Sequence, residues 1–268
     1  DMGAEKFMHI KAATSGKSPD CVVMNVTIRS MKLHGGAFGS RGGYRPSKAE
    51  LEAENIEAVA TGAATNLDRH IRNMAGFGVP VIVSINKFAS DTDGEIKALS
   101  DAAHASGAKA VTITEVHSKG GEGGEDLAKA VVKAVQDHVA AGRPFTPLFV
   151  NDAPVMEKVE AIATRMYKAK EVVVEAAAKK QLDKLNSWGY GNLPVCMAKT
   201  QYSFSHDAGK LGAPSDFTLP IREFRLNSGA GFIVAILGNM MTMPGLPKRP
   251  AAIDMDMDDD GNQTGIFG

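Results

Sequence analysis

The chain has 268 residues, room for two compact domains, with 44% hydrophobic and 23% charged side chains, as in ordinary globular proteins. Its 30 Lys and Arg residues balance 31 Asp and Glu residues, which removes any electrostatic reason to expect nucleic acid or an anionic membrane as partner. No apolar stretch reaches the roughly 18–20 residues that cross a bilayer as a helix.

The opening Asp1-Met2-Gly3 reads as the start of a fragment, with no leader peptide in view. Residues 21–28 (CVVMNVTI) form a β-rich run. A glycine-rich loop follows from His34 to Tyr44 and ends at Pro46. A long helix is expected from about Glu54 to Met74, because Ile56, Val59, Ala60, Ala63, Leu67 and Ile71 recur on one face. Gly76-Phe77-Gly78 stops it. Residues 79–85 (VPVIVSI) read as a second buried strand, residues 91–106 as a helix closed by Gly107, and residues 110–114 as a short strand. Gly120 to Gly124 then opens a helix running to about Ala140. Strands alternating with helices imply right-handed crossovers and a largely parallel sheet.

Residues 143–147 (RPFTP) read as a linker, and the character changes after it. A helix (156–167), a strand (171–174) and a helix (176–188) lead into strands over 194–198, 217–226 and 232–237. This is an α+β region beginning near residue 150. The tail alternates apolar and acidic residues (IDMDMD, 253–258) before Asp259-Asp260-Gly261-Asn262, a hairpin signature. Cys21 and Cys196 sit in apolar runs and read as buried structural thiols, which fits a reducing cytoplasm. Most of the seven scattered histidines are expected at the surface, solvated or hydrogen-bonded.

Two motifs fail on inspection. Ser15-Gly16-Lys17-Ser18 matches the end of a phosphate-binding loop, but Lys11 stands where its first glycine belongs. Pro19-Asp20 and a strand follow where a helix should offer its N–H groups. Asp256-x-Asp258-x-Asp260-Gly261 starts like a calcium loop, yet Phe267 occupies the position of the bidentate glutamate.

Three motifs carry more weight. Asn86-Lys87-Phe88 closes a buried strand, where doubly wound sheets bind ligands. Asn86 could read a purine edge with its donor and acceptor, and Phe88 could stack on a flat heterocycle. The Asn-Lys pair also suggests a GTPase base-reading motif, which needs an aspartate where Ala89 stands. Residues 119–124 (KGGEGG) lie between a strand and a helix, where glycines permit close backbone approach to a ligand. Residues 243–250 (MPGLPKRP) take a stiff extended path, with Lys248 and Arg249 free to meet phosphate or carboxylate; a strap for the last hairpin is the alternative.

Taken together, these blocks resemble one family. Residues 2–7 (MGAEKF), 26–36 (VTIRSMKLHGG), 83–92 (VSINKFASDT), 119–124, 190–203 (YGNLPVCMAKTQYS) and 241–251 (MTMPGLPKRPA) resemble, in order, the signatures of formate–tetrahydrofolate ligase. The similarity runs from residue 2 to 267. It implies an α/β protein: the end of a P-loop-type parallel-sheet domain (1–48), a second α/β domain with the folate-site loops (49–150), and a third, smaller α+β domain with a half-barrel-like sheet (151–268). It implies a ligase that makes 10-formyltetrahydrofolate from formate, tetrahydrofolate and MgATP through formyl phosphate, with a monovalent cation, in a cytoplasmic homotetramer. The family's chain is about twice as long. The resemblance therefore assigns this chain to the C-terminal half, with an N-terminal half carrying the phosphate loop as missing partner and no ATP turnover by this polypeptide alone.

By the same resemblance, folate lies between the aromatics of a Phe-Pro pair and a tryptophan. Those positions are Phe88, Ala89 and His117 here, with Lys119 and Glu122 in the adjoining loop. Imidazole stacks with less area than indole. Asn86 and the segment Pro244, Gly245, Leu246 and Pro247 are assigned to the nucleotide pocket. A non-catalytic folate-binding or assembly module that keeps the fold is the competing reading.

Overall fold

A computed structural model describes residues 3–39, 46–238, 249–261 and 263–264. It divides into two units, residues 1–238 and 239–268.

The first unit opens on a helical stretch, residues 3–15, widened at Phe7–Ala12 into a π-helical turn and ended by Gly16 at φ 67°. Strand β1 (Val22–Val26) pairs in parallel with β2 (Val81–Asn86), and β2 pairs in parallel with β3 (Ala110–Thr114). Residues on both sides of position 48 thus share one sheet. Every residue of β2 from Val81 to Ile85 is buried, the pattern of a central parallel strand covered on both faces. The helices Asp68–Ala75, Asp93–Ala105 and Glu125–Ala140 pack against this sheet.

Between β1 and the long helical stretch 56–75 lies a helix absent from the sequence reading, Ile28–His34. Its start is a capping box: Thr27 accepts from Ser30 N–H while Ser30 accepts from Thr27 N–H. This helix crosses Ile56–Gly62 closely. A Cβ on Gly35 would stand 1.8 Å from the Ala58 carbonyl oxygen, and one on Gly62 would stand 2.1 Å from that of Met31.

After residue 150 come a helical stretch (155–166), β4 (Glu171–Val174), the helix Ala176–Ser187 and β5 (Val195–Ala198). The run 217–226 is not one strand. It splits at Arg222 into β6 (Thr218–Ile221), parallel to β4, and β7 (Glu223–Asn227), antiparallel to β8 (Phe232–Ile236). β8 also pairs in parallel with β5. The split occurs because the chain leaves one sheet for another, and Arg222 N–H already donates to the Ile236 carbonyl at 2.9 Å.

The second unit contains the expected hairpin, shortened to β9 (Asp256–Met257) and β10 (Gln263–Thr264). The described residues thus form a mixed α/β architecture with parallel sheets, and no described helix is long and apolar enough to cross a membrane.

Two expectations need correction. Cys21 and Cys196 are free and only partly buried, because Cys21 precedes β1 and Cys196 sits on a half-covered face of β5. His9 and His138 are core residues, 4% and 5% exposed. His9 packs on the Phe149 and Phe77 rings at 4.6 and 5.3 Å, and burial lowers its pKa to about 4, with Lys6 adding to the effect.

Candidate functional site

The three parallel strands of the first sheet end together. Val26 stands opposite Ile85, and Asn86 opposite Thr114. The loops that follow β1, β2 and β3 therefore leave one edge, the carboxyl edge, where open α/β sheets bind ligands. Lys87 N–H donates to the Thr114 carbonyl at 3.1 Å, joining the second loop to the third strand.

In the second loop the chain turns back on itself at Phe88. Its N–H donates to the Asp91 carboxylate at 2.9 Å, and Asp91 N–H returns a bond to the Phe88 carbonyl at 3.0 Å. Burial pushes the Asp91 carboxyl up, opposed by the Phe88 N–H. Phe88 stays 36% exposed although its turn is hydrogen-bonded at both ends. Thr92 then caps the helix Asp93–Ala105 in a capping box with Glu95.

Glu95 links this turn to the first loop. Its carboxylate meets the Lys32 ammonium at 2.7 Å with both side chains buried, and accepts from Asn55 N–H at 2.8 Å. Lys32 also donates to the carbonyls of Leu51 and Ala53. Burial raises the pKa of the Glu95 carboxyl. The Lys32 ammonium and the N–H groups of Asn55 and Thr92 outweigh it and hold the group below its usual range. The pair fixes the helix bearing Arg29 against the helix that follows Phe88.

The third loop is a one-turn helix, Val116–Lys119, followed by a 3-10 turn, Gly120–Gly124. Gly120 takes φ 58°, ψ −141°, a conformation open only to glycine. Gly123 lies so close to the strand end that an added Cβ would stand 2.6 Å from the Glu115 carbonyl group. Its own carbonyl accepts from Glu115 N–H at 3.1 Å. The glycines thus fold this loop onto the sheet edge. Lys119 pairs with Glu115 at 2.6 Å, while His117 and Glu122 are exposed.

Of the residues singled out from the sequence, Asn86, Phe88, Ala89, His117, Lys119 and Glu122 all lie on loops or strand ends of this one edge. Pro244, Gly245, Leu246 and Pro247 lie outside the described residues. Sequence reasoning missed Arg29, whose guanidinium carbon sits 4.3 Å from the Phe88 ring centroid. It also missed the Lys32–Glu95 pair. The capping boxes at Thr27 and Thr92 mark the starts of the helices that carry Arg29, Lys32 and Glu95, but the contacts themselves depend on how the two helices meet.

Two cavities among the described residues lie away from this edge. One of about 600 Å³ is lined by Gly78, Pro80, Lys109 and His138, next to residues that precede β2 and β3. Another of about 240 Å³ is lined by His9, Lys17, Phe145 and Phe149. The carboxyl edge is a shelf with a presented ring, the half-buried Asn86 at the strand end and a glycine loop. Such a shelf suits one face of a flat, polar heterocycle. A model of the family described as formate–tetrahydrofolate ligase matches residues 1–267, essentially the whole chain, and the protein belongs to that family.

Proposed function

We propose that this chain supplies the folate-binding part of a formate–tetrahydrofolate ligase. Phe88 is the platform on which the pterin stacks, and His117 flanks it from the neighbouring loop. Lys119 and Glu122 belong to the loop closing around the ligand, and Ala89 leaves room beside the ring. The carrying observation is Phe88: a large aromatic ring, one-third exposed, on a turn hydrogen-bonded at both ends at the carboxyl edge of a parallel sheet.

The family's name gives formate and tetrahydrofolate as substrates, and ATP is the expected energy source. Asn86 and residues 244–247 are proposed for the nucleotide side. These 268 residues contain no complete phosphate-binding loop. Backbone donors and Mg²⁺ that would stabilise a transferring phosphoryl group must then come from a segment outside them. The role of the described residues is to hold and orient tetrahydrofolate, so that its amine meets an activated formyl group, a proximity effect. A monovalent cation, a homotetramer and a cytoplasmic location belong to the same proposal.

The purified chain should bind tetrahydrofolate but give no ATP- and formate-dependent product until a chain carrying the phosphate loop is added. Synthesis by the chain alone would overturn the division of labour. A second reading, a non-catalytic folate-binding or assembly module, is favoured by the departures at Ala89 and His117. It predicts that no added phosphate-loop chain restores synthesis.

A further inference from the structure

Arg29 and Phe88 occupy equivalent places just past the ends of adjacent strands. Val26 and Ile85 are register partners, and each aromatic or cationic residue comes three positions later. The capping box at Thr27 starts a helix at once, so Arg29 stays at the sheet edge and does not travel away along an extended chain. Its guanidinium lies 4.3 Å from the centroid of the Phe88 ring. Arg29 Nε is buried and meets no hydrogen-bond acceptor among the described residues. The ring contact and the charge of the nearby Asp91 carboxylate are the interactions this guanidinium makes at the edge. A buried donor left without an acceptor is costly, so its persistence points to a role for the guanidinium at the ring.

We propose that Arg29 is a positioning residue for pterin recognition: it covers one face of Phe88, fixes the ring angle and leaves the opposite face as the stacking surface. An aromatic ring has two faces. With one occupied by a cation and the ring still 36% exposed, a flat ligand has one face on which to stack. The turn clamped by Asp91 sets where the ring is attached, and Arg29 sets how it is oriented. This inference rests on the reading of Phe88 as the pterin platform.

The test is a double-mutant cycle on tetrahydrofolate binding by calorimetry, with Arg29→Met, Phe88→Leu and the double variant, repeated with tetrahydropterin, which lacks the benzoyl-glutamate tail. Arg29→Met should weaken both ligands about three- to tenfold, and should add little once Phe88 is Leu. Arg29→Lys, which keeps a cation over the ring, should recover part of the affinity; it also serves if the Met variant does not fold. Equal effects of Arg29→Met in both backgrounds, or no effect, would overturn the proposal. So would a loss confined to tetrahydrofolate, since Arg29 would then be reading tail carboxylates. If Phe88→Leu itself leaves binding unchanged, the platform reading fails. If Phe88→Leu weakens binding and Arg29→Met does not, only the positioning role fails.

Discussion

Two sheets of the first unit end in carboxyl edges of opposite character. At the edge of β1, β2 and β3, the departing loops leave a ring exposed at Phe88 and fold glycines back at Gly120 and Gly123. At the edge of β5 and β8, the first residue after β5 is Lys199, 5% exposed. Its ammonium donates to the carbonyls of Thr200 and Ser203 and lies 5.1 Å from the Tyr167 ring, whose hydroxyl donates to Glu5 at 2.6 Å. The same topological rule therefore leaves a ring presented at one edge and, among the described residues of the other, a lysine bonded back onto its own loop. Lys199 donates to carbonyls of its own loop, whereas Lys32, beside its bonds to Leu51 and Ala53, pairs its charge with Glu95 and braces the open edge.

The sharpest way to break that contrast is to remove the brace. Lys32→Met strands the Glu95 carboxylate in the core and should cost about 3–5 kcal/mol by urea unfolding. The Glu95 pKa is held low in the folded state. Its contribution is therefore full above the usual glutamate pKa and is lost as pH falls through the lower, folded value. Retention of wild-type stability by Lys32→Met at neutral pH would mean the pair does not organise the edge.

The glycine fold-back comes next. Gly123→Ala must push the Glu115 backbone away from its present place, so we expect a loss of about 1–3 kcal/mol. Tetrahydrofolate affinity should fall with it. Full affinity in a stably folded Gly123→Ala variant would remove the third loop from the site.

The edge at Lys199 should be recognised by its pH response. Burial, with Lys6 nearby, lowers the Lys199 pKa to about 7, against an ordinary lysine in the unfolded chain. From about pH 7 up to the ordinary lysine range the unfolded chain binds more protons, so stability rises with pH, by at most about 1.4 kcal/mol per unit. Lys199→Met should flatten that rise. Unfolding midpoints at pH 7, 8 and 9 for the two proteins check it, and parallel profiles would show that Lys199 is not the group concerned.

Much of this architecture was legible in the residues. Ala110–Thr114 and Glu171–Val174 fall where short β-rich runs are bracketed by turn residues. The long helix announced itself by apolar periodicity and begins one residue after Asn55, whose side chain accepts from Ala58 N–H. The helix Ile28–His34 was hidden, because its signal is a local capping box at the end of an apolar run. The break at Arg222 was hidden for a different reason: nothing within residues 217–226 reports that their pairing partner changes from β4 to β8. The site shows the same division. Phe88 and the glycine loop could be read from their places after strands. Arg29 could not, because its meeting with Phe88 depends on the register between β1 and β2, which the chain settles 59 residues apart in sequence.

The central claim is that the edge at Phe88 is the pterin shelf, and its most direct test is tetrahydrofolate titrated into the purified chain and into Phe88→Leu. The account predicts saturable binding to the unsubstituted chain and roughly tenfold weaker binding to the variant, with unchanged unfolding behaviour. Equal affinity for the two proteins would contradict it and move the folate site away from this sheet edge.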